Sequence, residues 1–197
     1  MWLFDRVNAI VASPKAEWAK IEGEPGDARA LFTDYVAVLA AVPPVCGLTD
    51  AALGGRLRDS LGAALLLAIV GYALTFVVVY ATALIADALA ETFGGRKSRP
   101  DALKLVVYAK TPVWLTGAFA LYANLGALSV LALYALYVFR VGAPVMMKTP
   151  SEKAALYTAA VAACGVVIYL VLYSILGAIF SFPLIAASLG SAIYSMM

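Results

Sequence analysis

Apolar runs of membrane-spanning length alternate with short charged turns along this chain. The alternation predicts an all-α polytopic membrane helical bundle with five spanning helices. The runs cover about 31–48, 60–88, 102–123, the stretch after Gly126 to about Met147, and 154–180. Pro43-Pro44 falls late in the first run, where a kink or an early end is expected. Pro112 falls inside the third and should bend it. Asn124-Leu125-Gly126 reads as the tight turn of a helical hairpin joining the third and fourth runs.

The flanks follow other patterns. Residues 2–12 place Leu3, Val7, Ile10 and Val11 on one helical face, with Asp5, Arg6 and Asn8 elsewhere. That predicts an N-terminal interfacial amphipathic helix. Ser13-Pro14 reads as an N-cap followed by proline in the first turn of a second helix, which holds Trp18 and Ile21 and stops near Gly23. The tail from Ser181 to Met197 is uncharged and broken by Pro183 and Gly190. At 17 residues it falls short of a crossing, so an interfacial or re-entrant segment is favoured over a sixth span. Three regions result: a cytoplasmic N-terminal segment over 1–29, a five-span membrane domain over 30–180, and an apolar extracytoplasmic tail over 181–197.

The charged turns orient the bundle. The polar turn after Phe93 opens with Gly94-Gly95, a helix stop, and carries Arg96, Lys97, Arg99 and Lys104. With the N-terminal segment and the 148–153 turn it also groups Arg6, Lys15, Lys20, Arg29, Lys148 and Lys153. The opposite side holds only Arg56 and Arg58. Ten basic residues against two is a strong positive-inside bias. It places the N-terminus in the cytoplasm and the C-terminus outside.

Composition narrows the chemistry. The chain is 64% hydrophobic and 13% charged, too apolar for a soluble domain of 197 residues. It has no histidine, the commonest general base and metal ligand. Cys46 and Cys164 fall inside apolar runs and read as small buried residues. No catalytic pair, metal-ligand set, cofactor motif or phosphate-cradling loop is present, and nothing suggests nucleic-acid binding.

Several segments, in order, resemble the Yip family, known in eukaryotes as Ypt/Rab-interacting membrane proteins, with a closer likeness to its bacterial branch. They are SPKAEW at 13–18, DYVAVLAAVPPVCG at 34–47, DALAETFGG at 87–95, ALKLVVYAKTPVW at 102–114 and LYALYVFRVGAPVMMKTP at 133–150. The resemblance implies five spans, a cytoplasmic N-terminus and a bacterial inner-membrane location. It implies no activity. Glu91 and Arg140 depart from the family pattern, so neither is carried over as a family site.

Ionisable residues at membrane depth are costly and are weighed first as functional candidates. Asp34, Asp87, Glu91, Lys110 and Arg140 all fall in the cytoplasmic portion of the bundle. Asp87 and Glu91 share a helical face. Asp87 either pairs with Lys110 or Arg140 across the bundle, or the acids stay in headgroup water while the two bases snorkel. Arg96, Lys97 and Arg99 are candidate lipid-headgroup contacts. Mid-span Tyr72 and Tyr169 are expected to face other helices. Gly71, Thr75 and Thr82 share a face suited to close packing, within the bundle or between copies, as do Val113, Gly117 and Leu121.

The leading expectation is a non-enzymatic membrane scaffold or organiser whose partners are membrane lipids, a second copy or another membrane protein. The alternative is a small transporter or channel using the buried charges.

Overall fold

The computed structural model describes residues 2–54, 61–121 and 130–196. The loop holding Arg56 and Arg58 and the turn at Asn124–Gly126 lie outside them. All regular structure among the described residues is helical: α1 (Trp2–Ala12), α2 (Pro14–Glu22), α3 (Ala28–Leu53), α4 (Leu61–Ala90), α5 (Arg99–Ala109), α6 (Thr111–Thr116), α7 (Tyr134–Met146) and α8 (Ala154–Met196).

Three helices are long and apolar enough to cross a membrane: Ala28–Leu53, Leu61–Phe93 and Ala154–Ala178. A shorter apolar helix spans Val130–Met146. The third of the five expected runs does not form one continuous helix. Proline has no N–H and its ring crowds the carbonyl four residues back, so α5 stops at Ala109. α6 restarts with Pro112 in its first turn, and a 3₁₀ segment, Gly117–Leu121, follows. The carbonyl that a residue-112 N–H would have reached is that of Tyr108. The Thr111 hydroxyl donates to it instead, at 2.7 Å.

The first run is also interrupted. Its early part is a π-helix, Leu31–Val36, and a turn at Ala40-Ala41 precedes a new helical start at Val42 with proline in its first turn. The proline pair therefore begins a segment rather than bending one. At the other flank, α8 carries its backbone unbroken past Pro183 and Gly190 to Met196. The tail continues the last apolar run as helix.

The core is concentrated at one end. α5 is its central post: every residue from Ala102 to Ala109 is buried. A span facing lipid would expose one side, so this helix is a core element. Around it pack α1, α2, the first half of α3, the C-terminal turns of α4 and α7, and the start of α8. α4 and α8 run on together beyond this end, in contact through small positions. A Cβ on Gly71 would lie 3.6 Å from the Tyr173 hydroxyl, and one on Gly165 would lie 3.6 Å from Thr82.

The helix stop after Phe93 forms as its glycines predict. Gly94 takes φ 80°, a left-handed conformation that costs glycine nothing. The Gly95 N–H reaches back to the Ala90 carbonyl at 2.8 Å. A Cβ on Gly95 would meet the Met147 carbonyl oxygen at 2.6 Å, so the two turns touch where only glycine fits.

Candidate functional site

α1 and α2 dock into the bundle through Ile10, Trp18 and Ile21, while Phe4 and Val11 of α1 stay exposed. Trp18 is fully buried, and its indole N–H donates to the Val138 carbonyl on α7 at 3.0 Å. Its ring lies over Gly142, where an added Cβ would come within 2.4 Å of Trp18 Cε2 and 2.7 Å of Leu105 Cδ1. Gly142 is therefore the socket for Trp18. Ser13 sits at the N-cap of α2 with Pro14 after it, yet its side chain makes no capping bond.

Beneath Trp18 lies a buried ionic network that the pattern of the chain does not announce. Arg6 is 7% exposed and pairs with Glu17 and Glu24. Its guanidinium stands 5.6 Å from the centre of the Tyr108 ring. Burial works against its charge. The Glu24 hydrogen bond and charge, with smaller contributions from Tyr108 and Glu17, outweigh that and hold the Arg6 pKa above its ordinary value. Lys104, expected on the polar turn, is 5% exposed. Its ammonium donates to the carbonyls of Ile21, at 3.2 Å, and Glu24. Both carbonyls lie at or just past the C-terminal end of α2, where a cation complements the helix dipole; the Ile21 carbonyl also accepts the Glu24 N–H at 3.2 Å. Arg6 shares a helical side with Ile10, and Glu17 shares one with Ile21. A charge on an apolar stripe is the one sequence signal that could have exposed this network.

A second polar chain ties α3 to the α5–α6 break. The Tyr35 and Thr111 hydroxyls are 2.7 Å apart. Tyr35 packs edge-on against Tyr108 at 4.8 Å between ring centres. Tyr72, expected to face another helix, donates to the Ala37 carbonyl at 2.9 Å.

The five candidate intramembrane charges do not form one cluster. Asp34 is exposed and accepts from the adjacent Thr33 hydroxyl at 2.6 Å. Glu91 is exposed and pairs with Lys97 at 2.7 Å. One Asp87 oxygen is buried and has no hydrogen-bond partner among the described residues. Asp87 makes no ion pair with Lys110 or Arg140 among the described residues, and the two bases line separate cavities. Arg140 is exposed and shares a cavity of about 470 Å³ with Lys15, Tyr137 and Ser151. Lys110 lines two others, facing α4 and α8.

The candidate headgroup residues lie together with other cations. Arg99 is exposed, Arg96 lies 3.6 Å from Asp101, and Lys97 binds Glu91. The hydrogen bond and charge of Glu91, and more weakly Asp87, raise the Lys97 pKa. The Arg96 N–H donates to the Met147 carbonyl at 2.7 Å. That bond fastens this turn to the 148–153 turn, and Lys153 Nζ lies 3.9 Å from the Cβ position of Gly94. Lys148 pairs with Glu22 of α2. The N-terminal segment and both basic turns thus meet at one end of the bundle.

The sequence model described as the Yip1 domain matches residues 8–175. No curated protein and no solved structure matches the chain. The matched region takes in Trp18, Lys104, Lys110, Gly142 and both basic turns.

Proposed function

Since the chain belongs to the Yip family and its apolar helices mark it as an integral membrane protein, we propose that it acts as a membrane organiser, with no catalytic step of its own. The basic face at the packed end engages anionic lipid headgroups. Arg96, Lys97 and Arg99 are its principal contacts, joined by Lys153. The observation that carries this reading is the Arg96 N–H to Met147 carbonyl bond. It holds two basic turns, 50 residues apart, on one surface whatever the surrounding lipid does. Like charges gathered this way attract an anionic leaflet by about 1 kcal/mol per basic residue near the surface.

The same gathering supports five crossings, with α5–α6 and the Gly117–Leu121 segment as the third and α7 as the fourth. It also supports a cytoplasmic N-terminus and an outer C-terminus, while residence in a bacterial inner membrane rests on the likeness to the family's bacterial branch. All three segments assigned to one side by their charge converge at one end. A cysteine introduced at position 97 is then labelled only from the cytoplasmic face; labelling from outside removes this topology. That Arg140 and Lys110 line different cavities favours an organiser over a transporter built on a shared charge cluster.

The test is lipid selection. Full-length protein is placed in nanodiscs of mixed phosphatidylglycerol and phosphatidylcholine. It should enrich the anionic lipid, and the triple variant R96Q/K97Q/R99Q should lose most of that enrichment. Wild-type enrichment should also fall as salt rises from 0.1 to 1 M, because the screening length shortens from about 10 to 3 Å. Unchanged enrichment in the triple variant rejects the headgroup role.

A further inference from the structure

Lys110 differs from the other cations that reach into this fold. Arg6 has two carboxylates and Lys104 has two carbonyls. Lys110 has no hydrogen bond and no ion pair among the described residues. It stands instead between two cavities. One, of about 380 Å³, lies between α4, α5, α7 and α8 and is walled by Val106, Leu136, Phe139 and Val166. The other, of about 320 Å³, extends toward Pro43, Trp114 and Tyr173. Both share Val78, Lys110, Val113 and Tyr169 in their walls, so they adjoin along this side of the bundle. No carboxylate is among the residues that line either one. The crevice opens sideways: Val113 is 39%, Leu136 43% and Val166 56% exposed.

We propose that this crevice holds one acyl chain of an acid-headed lipid, with the carboxylate or phosphate monoester of that lipid on the Lys110 amine. The two cavities fall in the size range of small-molecule sites. Apart from Lys110, the Trp114 indole and the hydroxyls of four threonines and two tyrosines, their walls are apolar, which suits a hydrocarbon tail. The single cation at their junction supplies the charge that selects an acid. In so apolar a place an amine without a counter-charge is uncompensated, and an anionic ligand is the group that would complete it. Entry is from the bilayer, through the exposed edge at Leu136 and Val166. The site is separate from the basic turns, and its occupancy does not depend on them.

The experiment uses the full chain purified in detergent and native mass spectrometry with three probes: oleate, dioleoyl phosphatidate and dioleoyl phosphatidylcholine. Wild type should retain one molecule of an acid-headed probe. K110M should bind it at least about tenfold more weakly, K110R should keep it, and L136W should lose it by filling the crevice. Retention of oleate alone identifies a free fatty acid, and retention of phosphatidate alone identifies a phospholipid; either supports the site. Equal retention of phosphatidylcholine, or undiminished acid binding by K110M, overturns it. If K110M unfolds, the contrast between K110R and L136W decides: loss in L136W with retention in K110R upholds the site, and any other pattern rejects it.

Discussion

At the packed end of the bundle, Trp18, Tyr35, Leu105 and Tyr157 have no exposed surface. Along the outer reaches of α4 and α8, Leu66, Ile69, Val166 and Leu170 are 47–64% exposed. The same two helices pass through both regions, so the contrast does not come from helix type. It comes from what each region has to bury against. The packed end joins α1, α2, α5 and α7 through contacts that a bilayer cannot supply: an indole N–H on a carbonyl, a guanidinium between two carboxylates, an ammonium on a helix terminus. The outer end offers leucine and valine, which lipid tails solvate as well as other side chains do. Only small residues such as Gly71 and Gly165 bring its helices close. The lesson is that this membrane protein concentrates its specificity at one end and leaves the rest to its solvent.

The contrast can be broken most severely at Trp18. Trp18→Ala should cost about 3–5 kcal/mol of stability in detergent. It should also free α1 and α2 to added protease while the rest of the chain stays protected. Equal protection in both proteins would mean that the N-terminal segment is not held by this ring. A smaller loss is expected at the proline break. Thr111→Val keeps the side-chain shape and removes the hydroxyl that meets the Tyr108 carbonyl and the Tyr35 hydroxyl, for a cost of about 1–3 kcal/mol. Thermal unfolding of Thr111→Val beside Thr111→Ser separates the hydroxyl from the packing, since serine should restore most of the loss. The smallest effect belongs to the outer end. Leu170→Ala should change stability by less than about 0.5 kcal/mol, because lipid or detergent fills the vacated volume. A loss there as large as the 2–5 kcal/mol expected of a core Leu105→Ala would show that the two ends are not differently built.

Much of this arrangement could be read from the chain. Gly94-Gly95 stops a helix, Pro112 and Pro43-Pro44 disturb the runs they fall in, and the basic turns converge, each for a local reason that residue type and spacing carry. Arg6, Glu17 and Lys104 were not legible. Their partners stand 11 to 83 residues away, and helical periodicity reports only neighbours within a turn or two. Lys104 misleads most, since a lysine just after a basic turn resembles its exposed companions until α2 is seen to end against it. The division of the third run into a core post and a short restart was hidden for a related reason. Apolar length signals burial without saying whether lipid or protein does the burying.

The proline break has a mechanical corollary. Because the Thr111 hydroxyl both replaces the missing amide proton and touches Tyr35, α3 is tied to the α5–α6 break through one side chain. A displacement of Tyr35 would therefore be felt first at that break, next to Lys110, and not in the straight helices on either side of it.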